Sequence, residues 1–285
     1  MRTRPSPAIV AGVLFALVSA GPVQATAATV GAPAYYLALG DSLARGVQPD
    51  ASGVDVETNQ GYVDDLYALY RAGIPGLQVV KLGCPGETTT TMIHGSRVCN
   101  YPLGSQLAQA VDFLKTHRVV LVTIDIGANN VDQCLSNGID EICLANGFAT
   151  AQAELSDILA ELRGARRGVL IVGMNYYDPF LAAWLQGPDG QALATASEKL
   201  TVDFNALLGS VYSAFGVPVA DVQSAFQTTN STPVPPLGVP VNVILVCSWT
   251  WMCAPDPVGP NIHPNVVGYW VIAGSFAKLI GPLRR

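Results

Sequence analysis

The chain has 285 residues, 15 of them basic and 21 acidic; half are hydrophobic and only 13% are charged. That composition provides ample material for a buried core, while the acidic balance argues against nucleic acid as a partner. A length in this range suits one domain of generous size, with no second domain required.

The N-terminus carries Arg2 and Arg4, then an uncharged apolar stretch from Ala8 to Ala20, then small-residue sites at Val23-Gln24-Ala25 and Ala25-Thr26-Ala27. This is the layout of a signal peptide over residues 1–27, cut after Ala25 or Ala27, with a single domain over 28–285. Gly21 and Pro22 end the apolar run short of the roughly 20 residues that a membrane anchor needs. Removing the leader leaves 13 basic and 21 acidic residues, a net charge of −8.

Five apolar, β-branched runs follow as expected strands: Tyr35 to Leu39, Leu77 to Leu82, Val119 to Ile126, Val169 to Met174 and Val217 to Val222. Helix-length segments with apolar positions three and four apart run from Tyr62 to Ala72, Gln106 to His117, Leu144 to Arg163, Gln191 to Phe215 and Val266 to Ile280. Strands that are continuously apolar are covered on both faces, and their alternation with helices predicts a parallel α/β sheet. In such sheets ligands bind beyond the carboxyl ends of the strands. Those ends read Gly40-Asp41-Ser42-Leu43, Gly83-Cys84-Pro85-Gly86-Glu87-Thr88 and Gly127-Ala128-Asn129-Asn130.

Six cysteines in an exported chain imply disulfides, and they fall into near neighbours: Cys84 with Cys99, Cys134 with Cys143, Cys247 with Cys253. Sequence alone allows 15 pairings of six cysteines. Neither Cys-x-x-Cys nor His-rich spacing points to a metal, and no cofactor motif is present. The segment from Gln227 to Asn261, with seven prolines between Pro233 and Pro260, reads as a long ordered loop stapled by the third cysteine pair. Inside it Trp249, Trp251 and Met252 are equally suited to an acyl-binding wall and to core packing.

A serine attacks only when a base takes its proton, so Ser42 needs a histidine. His117 ends a helical segment, and His94 sits in a Thr-rich loop; both have plain structural readings. His263, in Asn261-Ile262-His263-Pro264-Asn265, follows the long loop and precedes the last helix.

With these blocks in order, the chain resembles the SGNH (GDSL) hydrolase family of secreted actinobacterial-type lipases and esterases. Gly40-Asp41-Ser42-Leu43, Leu82 to Thr88, Gly127 to Asn130, and Ile262-His263-Pro264-Asn265 with Gly268-Tyr269 match the family's four blocks. One GDSL string alone should occur by chance on the order of once in a hundred such chains. The resemblance implies a three-layer α/β/α fold with a central five-stranded parallel sheet, flavodoxin-like. It implies Ser42 as nucleophile and His263 as general base, with an oxyanion hole of the Ser42 N–H, the Gly86 N–H and the Asn129 amide. Asp41 reads as support for the turn.

Two departures stand out. Asn130 replaces the usual Asp, and a supporting hydrogen-bond role is expected for it. Pro260 occupies the place of the family acid, three residues before His263. The expectation is a Ser42/His263 dyad whose imidazole is oriented by the Pro260 carbonyl; the alternative is Asp256, folding back through the proline-rich loop. The implied activity is ester hydrolysis on a small-molecule or lipid ester, by an exported monomer with no cofactor, no metal and no membrane insertion. The competing functions are a carbohydrate acetylesterase of the same fold and a secreted glycan- or lipid-binding protein without turnover.

Overall fold

A computed structural model describes residues 33–135 and 139–283. The expected leader, residues 1–27, lies outside the described residues. Five strands form the central sheet: β1 (Ala34–Gly40), β2 (Gln78–Lys81), β3 (Arg118–Asp125), β4 (Leu170–Met174) and β5 (Val219–Ala220). All pair in parallel, in the order β2-β1-β3-β4-β5. That is the flavodoxin-like order, whose ligand crevice opens where the chain reverses direction, between β1 and β3. The expected three-layer α/β/α fold is the observed one.

Five long helices flank the sheet: α1 (Tyr62–Arg71), α2 (Gln106–Thr116), α3 (Glu141–Ala165), α4 (Pro188–Ala214) and α5 (Val266–Ile280). Right-handed crossovers put α2, α3 and α4 on one face and α1 with α5 on the other. Tyr62 of α1 and Phe276 of α5 stack at 4.9 Å. The helix starts follow local chemistry. Asp140 accepts a bond from the Cys143 N–H at 3.0 Å, which starts α3 three residues before the apolar period does. Pro188 opens α4, where its missing N–H costs nothing.

The segment from Gln227 to Asn261 departs from expectation. It contains a nine-residue helix, Val241–Trp249, flanked by the two-stranded pair Pro233–Val234 and Val239–Pro240 and by the strand Thr250–Trp251. The helix hides because Val241 to Val246 is apolar at every position except Asn242, so no 3.6-residue period is visible. The prolines all lie outside its interior. Thr250–Trp251 then pairs antiparallel with Asn261–Pro264, the segment that carries His263.

The sheet is tightest where β1 meets β3. Gly40 pairs with Asp125 at φ +136°, and a Cβ there would stand 2.1 Å from the Asp125 carbonyl oxygen. Only glycine fits. The fully buried side chain of Gln106, the first residue of α2, brackets this glycine: its Oε1 accepts from the Gly40 N–H at 2.7 Å and its Nε2 donates to the Gly40 carbonyl at 2.9 Å. Gln106→Leu keeps the volume and removes both bonds. Buried groups stripped of a partner cost about 1–3 kcal/mol each, so we expect a loss of about 2–4 kcal/mol, read as a lower urea midpoint at unchanged slope.

Candidate active site

Ser42 opens a single helical turn, Ser42–Arg45, directly after β1. The turn's first N–H groups have no partner within the helix, so the surrounding residues decide which remain free. Asp41 accepts from the Leu43 N–H at 2.9 Å, and Asp125 Oδ2 accepts from the Ala44 N–H at 3.1 Å. The Ser42 N–H is left over. Asp41 therefore supports the turn, the role its position suggested.

Hydrogen bonds lock the three strand-end blocks together. The Cys84 N–H donates to the Gly40 carbonyl at 3.1 Å, which places the second block beside the first. Gln106 Nε2 also donates to Glu87 Oε2 at 3.1 Å. The Asn129 amide donates to the Glu87 carbonyl at 3.0 Å, leaving its second N–H for another acceptor. Asn130 Oδ1 accepts from the Thr89 N–H at 3.0 Å and its Nδ2 donates to Thr89 Oγ1 at 2.8 Å. That is the supporting role expected of the Asp-to-Asn departure. Gly86 lies exposed on this loop at φ +73°, a conformation that favours glycine, and its missing Cβ would meet nothing within 4 Å.

His263 arrives from the other end of the chain. Its Nε2 lies 2.9 Å from Ser42 Oγ, across 221 positions of sequence, and both residues are buried. His117 stacks on Phe113 and His94 is exposed, so neither serves Ser42.

The orientation of the imidazole corrects the expectation. Its Nδ1 is 2.8 Å from the side-chain oxygen of Asn261, not on the Pro260 carbonyl. Asn261 Oδ1 also accepts from the His263 N–H at 3.0 Å, while its Nδ2 donates to Asp55 Oδ1 at 2.7 Å. These partners assign the amide: oxygen toward the ring, nitrogen toward Asp55, hence Nδ1–H on the imidazole and a bare Nε2 facing the serine hydroxyl. Pro260 is exposed in the turn before, and Asp256 is exposed and bonds to no part of His263. The side-chain amide that meets the ring also closes a local turn by accepting from the His263 backbone. Asn261 stands one residue before the histidine block, and nothing in the sequence marked it for this role. Asp55 carried no signal, because its place depends on a pairing across 206 residues.

Burial lowers the imidazole's affinity for a proton, and the Asp55 charge partly opposes this; the net direction is down. The shift favours the neutral imidazole, the form that can accept a proton. Behind Ser42 two carboxyls are buried together. Burial pushes Asp41 up to about 6, and burial with the Asp41 charge pushes Asp125 well above the ordinary carboxylate range. Tyr62 holds Asp125 at 2.5 Å.

Ser42, His263 and Asn129 face a cleft whose remaining wall is almost wholly apolar, built from Leu135, Leu144, Phe148, Phe180, Leu200 and Phe204 among others. Trp249 is absent from it, packing edge-on against Phe226 at 5.2 Å, and Trp251 Nε1 points to Gln48 at 3.4 Å. Of the two readings of these aromatics, packing is the observed one. The bonded cysteine pairs are Cys84–Cys99, Cys134–Cys143 and Cys247–Cys253, and the second flanks the cleft at Leu135 and Leu144. Among the described residues no cluster of three His, Cys, Asp or Glu is arranged to hold a metal, and no helix is long and apolar enough to cross a membrane.

The sequence model of the GDSL-like lipase/acylhydrolase family matches residues 38–271. The chain belongs to this family. It is accordingly a carboxylic ester hydrolase by class. No curated protein matches it in sequence. Among solved structures this GDSL hydrolase is similar to an acetylxylan esterase of Geobacillus stearothermophilus, at 18% identity and TM-score 0.55 over 90% of this chain and 97% of that one. It is similar to phospholipase A1 of Streptomyces albidoflavus, at 17% identity and TM-score 0.56 over 87% and 99%. An extracellular lipase of Streptomyces rimosus aligns at 19% identity and TM-score 0.55 over 86% and 99%. At such identities the likeness is one of fold.

Asp41, Asp132 and Thr201 interrupt the apolar wall. Asp132 lines the cleft, and burial, reinforced by the charges of Asp41 and Asp178, pushes its carboxyl up to about 7. Below that pH Asp132 is neutral; above it, a carboxylate must lose water when an apolar chain enters. We expect KM for a p-nitrophenyl octanoate ester, taken relative to the acetate ester to cancel titration common to both, to rise several-fold between pH 6 and 8. Asp132→Asn should flatten the ratio. A wild-type ratio that does not change across this range would refute the assignment.

Proposed function

We propose that this protein is an exported esterase or lipase that hydrolyses carboxylic esters through an acyl-enzyme on Ser42. The observation that carries the reading is the 2.9 Å contact between Ser42 Oγ and the bare Nε2 of His263. Ser42 Oγ attacks the ester carbonyl carbon as its proton passes to Nε2. The oxygen that becomes negative is held by the Ser42 N–H, the Gly86 N–H and the free N–H of the Asn129 amide. The carbon–oxygen bond to the alcohol then breaks, and Nε2 returns the proton to the departing oxygen. Water repeats the sequence on the acyl-enzyme, releasing the acid and Ser42.

An apolar cleft running off the serine suits an acyl chain longer than acetate. This favours an esterase or lipase over a carbohydrate acetylesterase. A binding protein without turnover has no use for a serine and a neutral histidine paired in a buried cleft. Export is supported by the apolar leader in residues 1–27 and by the three disulfides. N-terminal sequencing of the secreted product should begin at Thr26 or Ala28; recovery of Met1 in the medium would overturn it.

Hydrolysis of p-nitrophenyl esters of graded length tests the activity. Butyrate to octanoate should exceed acetate in kcat/KM. Ser42→Ala should lower kcat by roughly 10⁴-fold or more, and Asn129→Ala by about 10²–10³. Turnover of acetate alone would favour the acetylesterase, and no turnover by the wild type would favour the binding protein.

A further inference from the structure

The place of the family acid is taken by Pro260, yet a carboxylate does stand behind the imidazole. Asp55 begins the second strand of a small hairpin, Val47–Pro49 with Asp55–Glu57, in which Pro49 pairs with Asp55. The hairpin is fastened to the histidine-bearing end of the chain at successive residues. Tyr269 of α5 donates to the Val47 carbonyl at 2.8 Å, Trp251 donates to Gln48, and Asn261 donates to Asp55. At its tip Gly53 (φ +82°) lies so close to the proline-rich loop that a Cβ would stand 1.9 Å from the Pro257 carbonyl oxygen. Asp50 Oδ1 closes the tip by accepting from the Ser52 and Val54 N–H groups.

These contacts hold Asp55 Oδ1 at 3.5 Å from His263 Nδ1, on the far side of the ring from Ser42. Among the described residues no Lys or Arg forms an ion pair with Asp55; Arg45, at the end of the Ser42 turn, is paired with Glu57 of the hairpin. The Asp55 charge is therefore unopposed and directed at the imidazole. We infer that Asp55 is the acid of this site, acting at one remove: it fixes the Asn261 amide so that oxygen faces Nδ1–H, and its charge favours the imidazolium formed during acyl transfer.

This inference rests on His263 being the base. A neutral amide oxygen selects the tautomer but adds no net charge, whereas a carboxylate does both. Dividing these tasks between Asn261 and Asp55 leaves tautomer selection to the amide and charge to the acid. Asp55 is a positioning residue, since it touches the base and not the substrate. About half of its side chain is exposed, so its effect is screened. Asp41 and Asp132 line the cleft with His263 from other elements, while Asp55 is the charged group that acts on the ring.

The test is the pH profile of p-nitrophenyl acetate hydrolysis by Asp55→Asn, Asp55→Glu, and Asn261→Asp combined with Asp55→Asn. We expect Asp55→Asn to lower kcat about ten-fold with little change in KM, well short of the roughly 10⁴ that follows loss of a directly bonded acid. With the negative charge gone, His263 holds its proton less well, so the acid limb of the profile moves to lower pH. Asp55→Glu should recover part of the rate. The double variant moves a carboxylate directly onto Nδ1 and should restore kcat while moving the limb upward, which a purely structural role for Asp55 does not produce. Wild-type kcat and limb in folded Asp55→Asn, or no rescue by the double variant, would overturn the inference. If Ser42→Ala and His263→Ala also leave turnover intact, the dyad reading itself has failed; if they abolish it, only the Asp55 assignment has.

Discussion

The close approach of β1 and β3 at Gly40 and Asp125 is the constraint around which the catalytic end of the molecule is built. Because no side chain fits between these strands, their carboxyl ends lie side by side, and the loops that follow begin from neighbouring points. Gly40 gives both of its backbone groups to Gln106, and its carbonyl also takes the Cys84 N–H. Gln106 reaches on to Glu87, and the Glu87 carbonyl receives Asn129. One chain of hydrogen bonds thus runs from the strand before Ser42 through the glycine-containing loop to the amide of the third block. Donors held in this way need no rearrangement when negative charge develops, which is what makes an oxyanion site effective.

The histidine is positioned by different means. It lies on a short antiparallel pairing outside the central sheet, held by Thr250–Trp251, by the hairpin at Val47 to Glu57 and by the first turn of α5, where Asn265 accepts from the Val267 and Gly268 N–H groups. Ser42 is fixed by the sheet and His263 by accessory structure leaning on it. Their meeting at 2.9 Å is a tertiary product of the whole fold.

Much of this was legible in the sequence. Each of the five expected strands and five expected helices lies within a few residues of its place, because continuous apolar runs and 3.6-residue spacing report burial directly. The four motif blocks were also visible as short, chemically distinctive strings. What escaped detection depended on distant pairings or on the absence of contrast. Asp55 is an ordinary acid in a polar turn until the hairpin folds against Asn261. The Pro260 carbonyl looked suitable because the family's spacing drew attention to that position, while the side chain one residue later had the reach. The helix Val241–Trp249 lacks a polar face, and the cleft's Leu and Phe residues are indistinguishable from core in a linear sequence. Trp249 was conspicuous for its size, yet it packs.

The charge balance of the site joins these observations. Burial shifts the acids around Ser42 toward their protonated forms: Asp125 beside Asp41, and Asp132 in the cleft wall. Had a carboxylate also been buried directly against His263, its attraction would raise the imidazole's proton affinity and reduce the fraction of free base at mildly acidic pH. Placing the acid at the half-exposed surface, with a neutral amide between, weakens that attraction and keeps the burial-lowered basicity of the ring. The arrangement exchanges part of the stabilisation of an imidazolium for a ring that stays deprotonated to lower pH, while Asp132 in the cleft wall is neutral only below about 7.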